Sequence, residues 1–94
     1  MNDLGKDRLV EAALNGVPQI TGRYATEAGF CALGVLGIRE EEMGVGQFCA
    51  KYGLSMARIN CLTCNRSFLH EFDLVIHMND DHGMDFLTIA RKLP

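Results

Sequence analysis

The sequence predicts a small single α+β domain, mostly helical with short β-hairpins, and three observations carry that expectation. Apolar residues recur at helical spacing in stretches bounded by glycine, proline and capping residues. Short extended runs flank turns at Glu27-Ala28-Gly29 and Cys61-Leu62-Thr63-Cys64. Cys61, Cys64, His77 and His82 stand at metal-ligand spacing, which would staple a chain whose 94 residues bury only a limited core. Residues 1–94 read as one domain: a helical and hairpin N-terminal part over 1–57, a ββα metal-binding unit over 58–82, and a terminal helix over 85–93.

Asp7 to Asn15 should form the first helix, with Leu9, Val10, Ala13 and Leu14 on one face and Asn15-Gly16 as its stop. Val17-Pro18 breaks the pattern, because a residue before proline is pushed towards extended backbone. Gln19 to Thr26 reads as extended, and the Glu27-Ala28-Gly29 turn leads into a second short strand at Phe30-Cys31. Phe30 to Ile38 is nearly all apolar, so periodicity does not separate helix from strand; a short helix after a brief strand is expected. Glu40-Glu41-Glu42 reads as a solvated helix start. Glu41 to Tyr52 follows as a helix, with Met43, Val45, Phe48, Cys49 and Tyr52 on its inner side and Gly53 at its end. Arg58 to Phe68 should be a β-hairpin turning at Cys61–Cys64, and Leu69 to about Asp81 a helix. Gly83 interrupts. Asp85 is an N-cap for the last helix, Phe86 to Leu93, whose inner face is Phe86, Ile89, Ala90 and Leu93.

The ligand set reads C-x2-C, twelve residues, H-x4-H. A two-residue gap lets one tight turn aim both sulfurs at a single point. Histidines five positions apart share a helix face only if the helix end tightens or loosens. Thiolates and imidazoles in fours suit tetrahedral Zn2+. With every valence filled by protein, such a site is structural and not catalytic. Its apparent binding free energy, on the order of 10 kcal/mol, is comparable to the whole stability of a small domain. Phe68 stands four after Cys64, Leu74 six further on and His77 three beyond that. In these six positions residues 61–82 closely resemble the two-cysteine, two-histidine zinc-finger family, and the resemblance implies a ββα unit closed around a structural zinc. His70, Cys31 and Cys49 have no partner at ligand spacing; the histidine is expected at the solvent-facing helix start and the cysteines as buried thiols.

A second resemblance covers other stretches. Gly22 to Leu36, GRYATEAGFCALGVL, resembles a family of small uncharacterised phage and prophage proteins that carry a similar glycine, a short variable hairpin and a Phe/Tyr-Cys-Cys-Leu-Gly-Val-Leu motif. Ala32 stands where that motif has its second cysteine. Met78-Asn79-Asp80 and Phe86-Leu87-Thr88-Ile89-Ala90 are similar to the ending of that family, whereas the Cys61–Cys64 knuckle is not part of the resemblance. It implies a phage-related origin and no particular activity. Asn79-Asp80 is expected to terminate one helix and cap the next.

Charge and motif content narrow the function. The formal net charge is −3, with four basic groups against seven acids in residues 1–50 and five of each in 51–94. Neither half carries the basic footprint of a nucleic-acid binder. The positions from which a finger would read bases fall on His70, Asp73 and Ile76, beside Phe72, and none supplies the Arg, Lys, Asn or Gln of bidentate base contacts. Phe72 and Ile76 are expected to pack against the N-terminal half or a partner. No apolar run is long enough to span a bilayer, and the N-terminus lacks a signal-peptide pattern, so the expected location is cytoplasmic. Gly34-x-x-Gly37 and Gly44-x-Gly46 lack the strand-to-helix setting of a nucleotide fingerprint. Ser55 and Ser67 have no evident triad partners, and Cys31 has no basic neighbour in sequence. The chain therefore reads as a non-enzymatic, zinc-stabilised protein-interaction module, possible partners being host or phage proteins, with an inhibitor of a defence protein as one version. The alternatives are a nucleic-acid-binding regulator and a homo-oligomeric structural component.

Overall fold

The computed structural model describes residues 1–39 and 43–94, so the expected helix start at Glu40-Glu41-Glu42 lies outside the described residues. Five helices and two hairpins follow in chain order: α1 (Asp3–Leu14), β1 (Ala25–Thr26), β2 (Gly29–Phe30), α2 (Ala32–Val35), α3 (Val45–Tyr52), β3 (Ile59–Asn60), β4 (Ser67–Phe68), α4 (Glu71–Asp80) and α5 (Phe86–Lys92). The α+β expectation holds in its coarse form, a helical domain with two short antiparallel hairpins.

Helix α1 begins four residues before the expected Asp7 because Asn2 caps it. The Asn2 Oδ1 accepts from the Gly5 N–H at 3.0 Å, and the Asn2 Nδ2 donates to the Lys51 carbonyl at 2.8 Å. Leu9 and Ala12 face the core, while Leu14, expected inside, is 81% exposed at the frayed last turn. The chain then turns at Asn15-Gly16. Gln19 bridges Phe30 in parallel, and β1 pairs with β2 antiparallel, Ala25 opposite Phe30 and Thr26 opposite Gly29. The second strand is displaced by one residue from the expected Phe30-Cys31. The residue just before β1 lies so close to α2 that a Cβ at Gly34 would stand 1.7 Å from the Tyr24 carbonyl oxygen, a place only glycine can fill.

Helix α3 starts at Val45, after Met43-Gly44, and Gly53 ends it in the left-handed region at φ 64° as expected. Phe48, Cys49 and Tyr52 are buried, but Val45 is largely exposed because it stands on the first turn, ahead of the packed face. Phe48 stacks on Tyr52 at 4.9 Å and meets Phe72 of α4 edge-on at 6.2 Å. Helix α4 begins at Glu71 and not Leu69. Its first residue is tied to Ser55 twice: the Glu71 N–H donates to the Ser55 carbonyl at 3.0 Å, and Glu71 Oε1 accepts from the Ser55 N–H at 2.9 Å. The Glu71 Oε2 takes the buried Met1 ammonium, which also donates to the Pro94 carbonyl. Asp85 caps α5 by accepting from the Thr88 N–H at 2.7 Å, and Phe86, Ile89, Ala90 and Leu93 turn inward as expected.

One apolar core runs from Met1 and Leu9 through Leu33, Leu36, Phe48 and Tyr52 to Val75, Ile89 and Leu93, so both halves of the chain share it. Helix α1 packs chiefly on α5, and α2 rests on α4. Among the described residues, no helix is long and apolar enough to cross a membrane.

Asn79 corrects an expectation. It does not cap the helix that follows; its side chain is 1% exposed and joins segments far apart in sequence. Its Oδ1 accepts from Gln19 Nε2 at 2.8 Å and from the Ala32 N–H at 3.1 Å, and its Nδ2 donates to the Ile20 carbonyl at 2.9 Å and to Asp80 Oδ1 at 2.8 Å. An otherwise orphaned N–H at the start of α2 is thus satisfied by a side chain 47 residues away.

Candidate metal centre

The hairpin β3–β4 pairs Ile59 with Phe68 and Asn60 with Ser67. Its turn is the cysteine knuckle. The Cys61 N–H donates to the Arg66 carbonyl at 2.8 Å and the Asn65 N–H to the Cys61 carbonyl at 2.7 Å. Asn65 adopts φ 62°, a left-handed conformation that asparagine tolerates better than most residues. This tight loop brings Cys61 and Cys64 to one side, the first buried and the second exposed.

The histidines come from α4 and its exit. His77 lies in the last turn, buried against the Phe68 ring at 4.7 Å. The H-x4-H spacing demanded a change at the helix end, and the backbone supplies it: the N–H groups of Asp81 and His82 both donate to the His77 carbonyl, at 2.9 and 3.3 Å. That loosened turn swings His82 back towards His77, ring centroids 4.5 Å apart. Gly83, at φ 60°, then carries the chain away.

All four expected ligands are therefore brought together. Their donor atoms lie within 4.8 Å of one another. Cys61 Sγ stands 3.6 Å from His82 Nε2, and Cys64 Sγ stands 3.3 Å from His77 Nε2. For zinc bonds of about 2.3 Å to sulfur and about 2.0 Å to nitrogen, a tetrahedron has sulfur–nitrogen edges of roughly 3.5 Å. Both pairs match that edge, and both histidines approach through the same ring nitrogen. Soft sulfur and imidazole donors in a closed set of four are consistent with zinc.

The electrostatics favour a metal-ready thiolate at Cys61. Burial pushes its thiol up, but hydrogen bonds from the backbone N–H groups of Cys64 and Thr63, with further help from the Cys64 and His82 side chains, outweigh burial and bring its pKa to about 6. The other two cysteines behave oppositely. Burial pushes the Cys31 and Cys49 thiols up, for Cys49 with added repulsion from Glu71 and Asp73. Neither belongs to the cluster. Nor does His70, half-buried at the start of α4 with its Nδ1 at 2.9 Å from the Met56 carbonyl.

One residue escaped the reading of the sequence. Asp81 Oδ2 lies 2.7 Å from His77 Nδ1, which places the ring proton on that nitrogen and leaves Nε2 to face the cysteines. The signal was present, an acid four positions after a histidine on a helix. Ligand spacing alone does not single it out, because Asp80 is as near in sequence.

Comparison of the chain with protein-family models, with curated proteins and with solved structures returns no match.

Proposed function

We propose that the chain is a protein-interaction module held in shape by one structural zinc on Cys61, Cys64, His77 and His82, with residues 58–82 forming a ββα zinc-finger unit docked onto a helical partner half. The convergence of the four donor atoms within 4.8 Å, with two sulfur–nitrogen pairs at the edge length of a zinc tetrahedron, carries this reading. Bound zinc would neutralise the thiolates and link the hairpin to the helix end, and the chain's own contribution is to hold four donors in place.

Protein binding is favoured over nucleic-acid binding by where α4 points. Phe72 is buried against Phe48, Val75 is fully buried, and Ile76 packs partly into the core. In a lone finger Phe72 and Ile76 would face outward; here the core covers Phe72 and part of Ile76, and the exposed base-reading position Asp73 is an acid. Residues 58–82 also carry two basic groups against four acids, which repels a phosphate backbone. Apolar side chains remain on the outside of the metal unit, Leu62 at the knuckle and Met56 and Leu69 beside the His70–Met56 contact. The resemblance to small phage proteins would make the partner a host or phage protein and the location the cytoplasm.

The test is native mass spectrometry for zinc with thermal unfolding before and after a strong chelator, followed by binding assays on zinc-loaded protein. One zinc per chain, lost cooperative melting on chelation and in Cys64→Ser, and no salt-dependent duplex DNA binding are expected. Tight DNA binding with a steep salt slope would replace this reading with the regulator, and an unchanged melt without metal would remove the zinc.

A further inference from the structure

A cavity of about 420 Å³ opens on the face of the domain formed by the 22–25 loop, the start of α2 and the last turn of α4. None of the four metal ligands lines it. Its volume lies in the range of about 300–1,000 Å³ that small-molecule sites occupy. Its wall chemistry is uneven in an informative way.

Arg23 and Arg39 line it from the hairpin side. Both are exposed, and among the described residues neither forms an ion pair. Among the described residues, the Arg39 guanidinium donates to the Ala25 carbonyl, at 3.4 Å. Guanidinium groups bind phosphate and carboxylate oxygens in pairs of parallel hydrogen bonds, and two of them facing one ligand are balanced by a dianion better than by a single carboxylate. From the α4 side comes Asp80, half-buried, with Oδ1 held by Asn79 Nδ2. Among the described residues, its other oxygen has no partner, so it can accept from a ligand N–H. The accessible apolar wall is Ile76 and the partly exposed Tyr24 ring, with Leu33 and Val75 fully buried behind them.

The walls are also fixed in place. Asn79 ties the start of α2 and the Ile20 backbone to α4, and the close approach of Gly34 to the Tyr24 carbonyl pins the 22–25 loop to α2. The backbone of the site is thus set before binding, and the two arginine side chains order when a ligand arrives.

We propose that this cavity binds a small phosphorylated ligand with a planar, donor-bearing ring, the chemistry of a nucleoside monophosphate. The phosphate lies on Arg23 and Arg39, the ring lies on the apolar wall near Tyr24, and a ring amine faces Asp80. This is a second site, independent of the metal.

The experiment is an amide-resolved NMR titration of the zinc-loaded chain with adenosine, cytidine and guanosine 5′-monophosphates, each beside its nucleoside and inorganic phosphate. At least one nucleotide should bind saturably with a Kd below about 1 mM, shifting Tyr24, Ala32 and Asn79. The Arg23→Ala/Arg39→Ala variant should weaken it at least about tenfold while keeping the wild-type melt, since both side chains are exposed. Should that variant lose its fold, Arg23→Gln/Arg39→Gln replaces it. Asp80→Asn should change the ranking of the three bases. No saturable shift at these residues up to about 10 mM, equal binding of inorganic phosphate or of the nucleoside alone, or an unweakened arginine variant would each overturn the assignment. These outcomes leave the zinc stoichiometry untouched, so the two readings fail separately.

Discussion

Asn79→Ala should be among the most damaging single changes outside the metal ligands. The side chain is almost fully buried and makes four hydrogen bonds, but truncation does not orphan all four partners. Gln19 keeps its bond to the Met84 carbonyl at 2.6 Å, and the half-buried Asp80 carboxylate can turn to water. The Ala32 N–H, on a residue of zero exposure, and the half-buried Ile20 carbonyl are left without a partner. An unsatisfied buried group costs about 1–3 kcal/mol; with Ala32 at the middle of that range and the half-buried Ile20 carbonyl at its lower end, the two together cost about 3 kcal/mol, a large share of the roughly 5–15 kcal/mol that holds a domain. With a urea slope near 1–1.5 kcal/mol/M for a chain this small, the unfolding midpoint should fall by roughly 2–3 M. The assay is urea unfolding in saturating zinc, with zinc affinity measured in parallel so that a change at nearby His77 is separated from loss of the hub. Asn79→Asp sharpens the test. It keeps the shape and the acceptor, but turns the donor facing the Ile20 carbonyl and Asp80 into an oxygen. Burial and the neighbouring carboxylate raise the pKa of the new group, so the defect is full above that raised value and eases as pH falls and the acid regains a donor. An unfolding free energy for Asn79→Ala within about 0.5 kcal/mol of wild type would refute the reasoning.

Other expectations follow from the same coordinates. Asp81→Ala should lower zinc affinity about 10- to 100-fold by freeing the His77 ring, read by competition with a chromophoric chelator; an unchanged affinity would remove Asp81 from the site. The metal-free chain should show one thiolate forming near pH 6 by ultraviolet absorbance, from Cys61. Because that pKa is depressed below the ordinary thiol value, the stabilisation it brings is full above about pH 9 and disappears as pH falls through about 6. Absorbance flat up to pH 8 would contradict it. Glu71→Gln replaces the acceptor of the buried Met1 ammonium and should cost about 3 kcal/mol, measured by the same urea titration; a loss under about 1 kcal/mol would show the pair to be solvated.

The grouping of Cys61, Cys64, His77 and His82 was readable from the sequence because their spacing encodes a local geometry, a knuckle turn and a helix end, that few folds alter. The caps at Gly53 and Asp85 were readable for the same reason. The start of α1 was misplaced because an Asn cap at the second residue lies ahead of the first apolar stripe, and Val45 was placed inside by a periodicity that says nothing of where packing begins. The hidden roles belong to side chains whose partners are remote. Asn79 looked like a helix terminator because its nearest neighbours in sequence give no sign of Ala32, Ile20 and Gln19.

The sequence by itself determined the two-cysteine, two-histidine cluster, the two hairpins and the order of the helices, since each depends on residues within a few turns of one another. Only the tertiary structure decided that Phe72 and Val75 face a core and not a groove, that Asn79 ties α4 to α2, and that Arg23, Arg39 and Asp80 line one cavity. Those outcomes depend on how distant segments share a single buried volume, and close packing of that volume is a property of the whole chain.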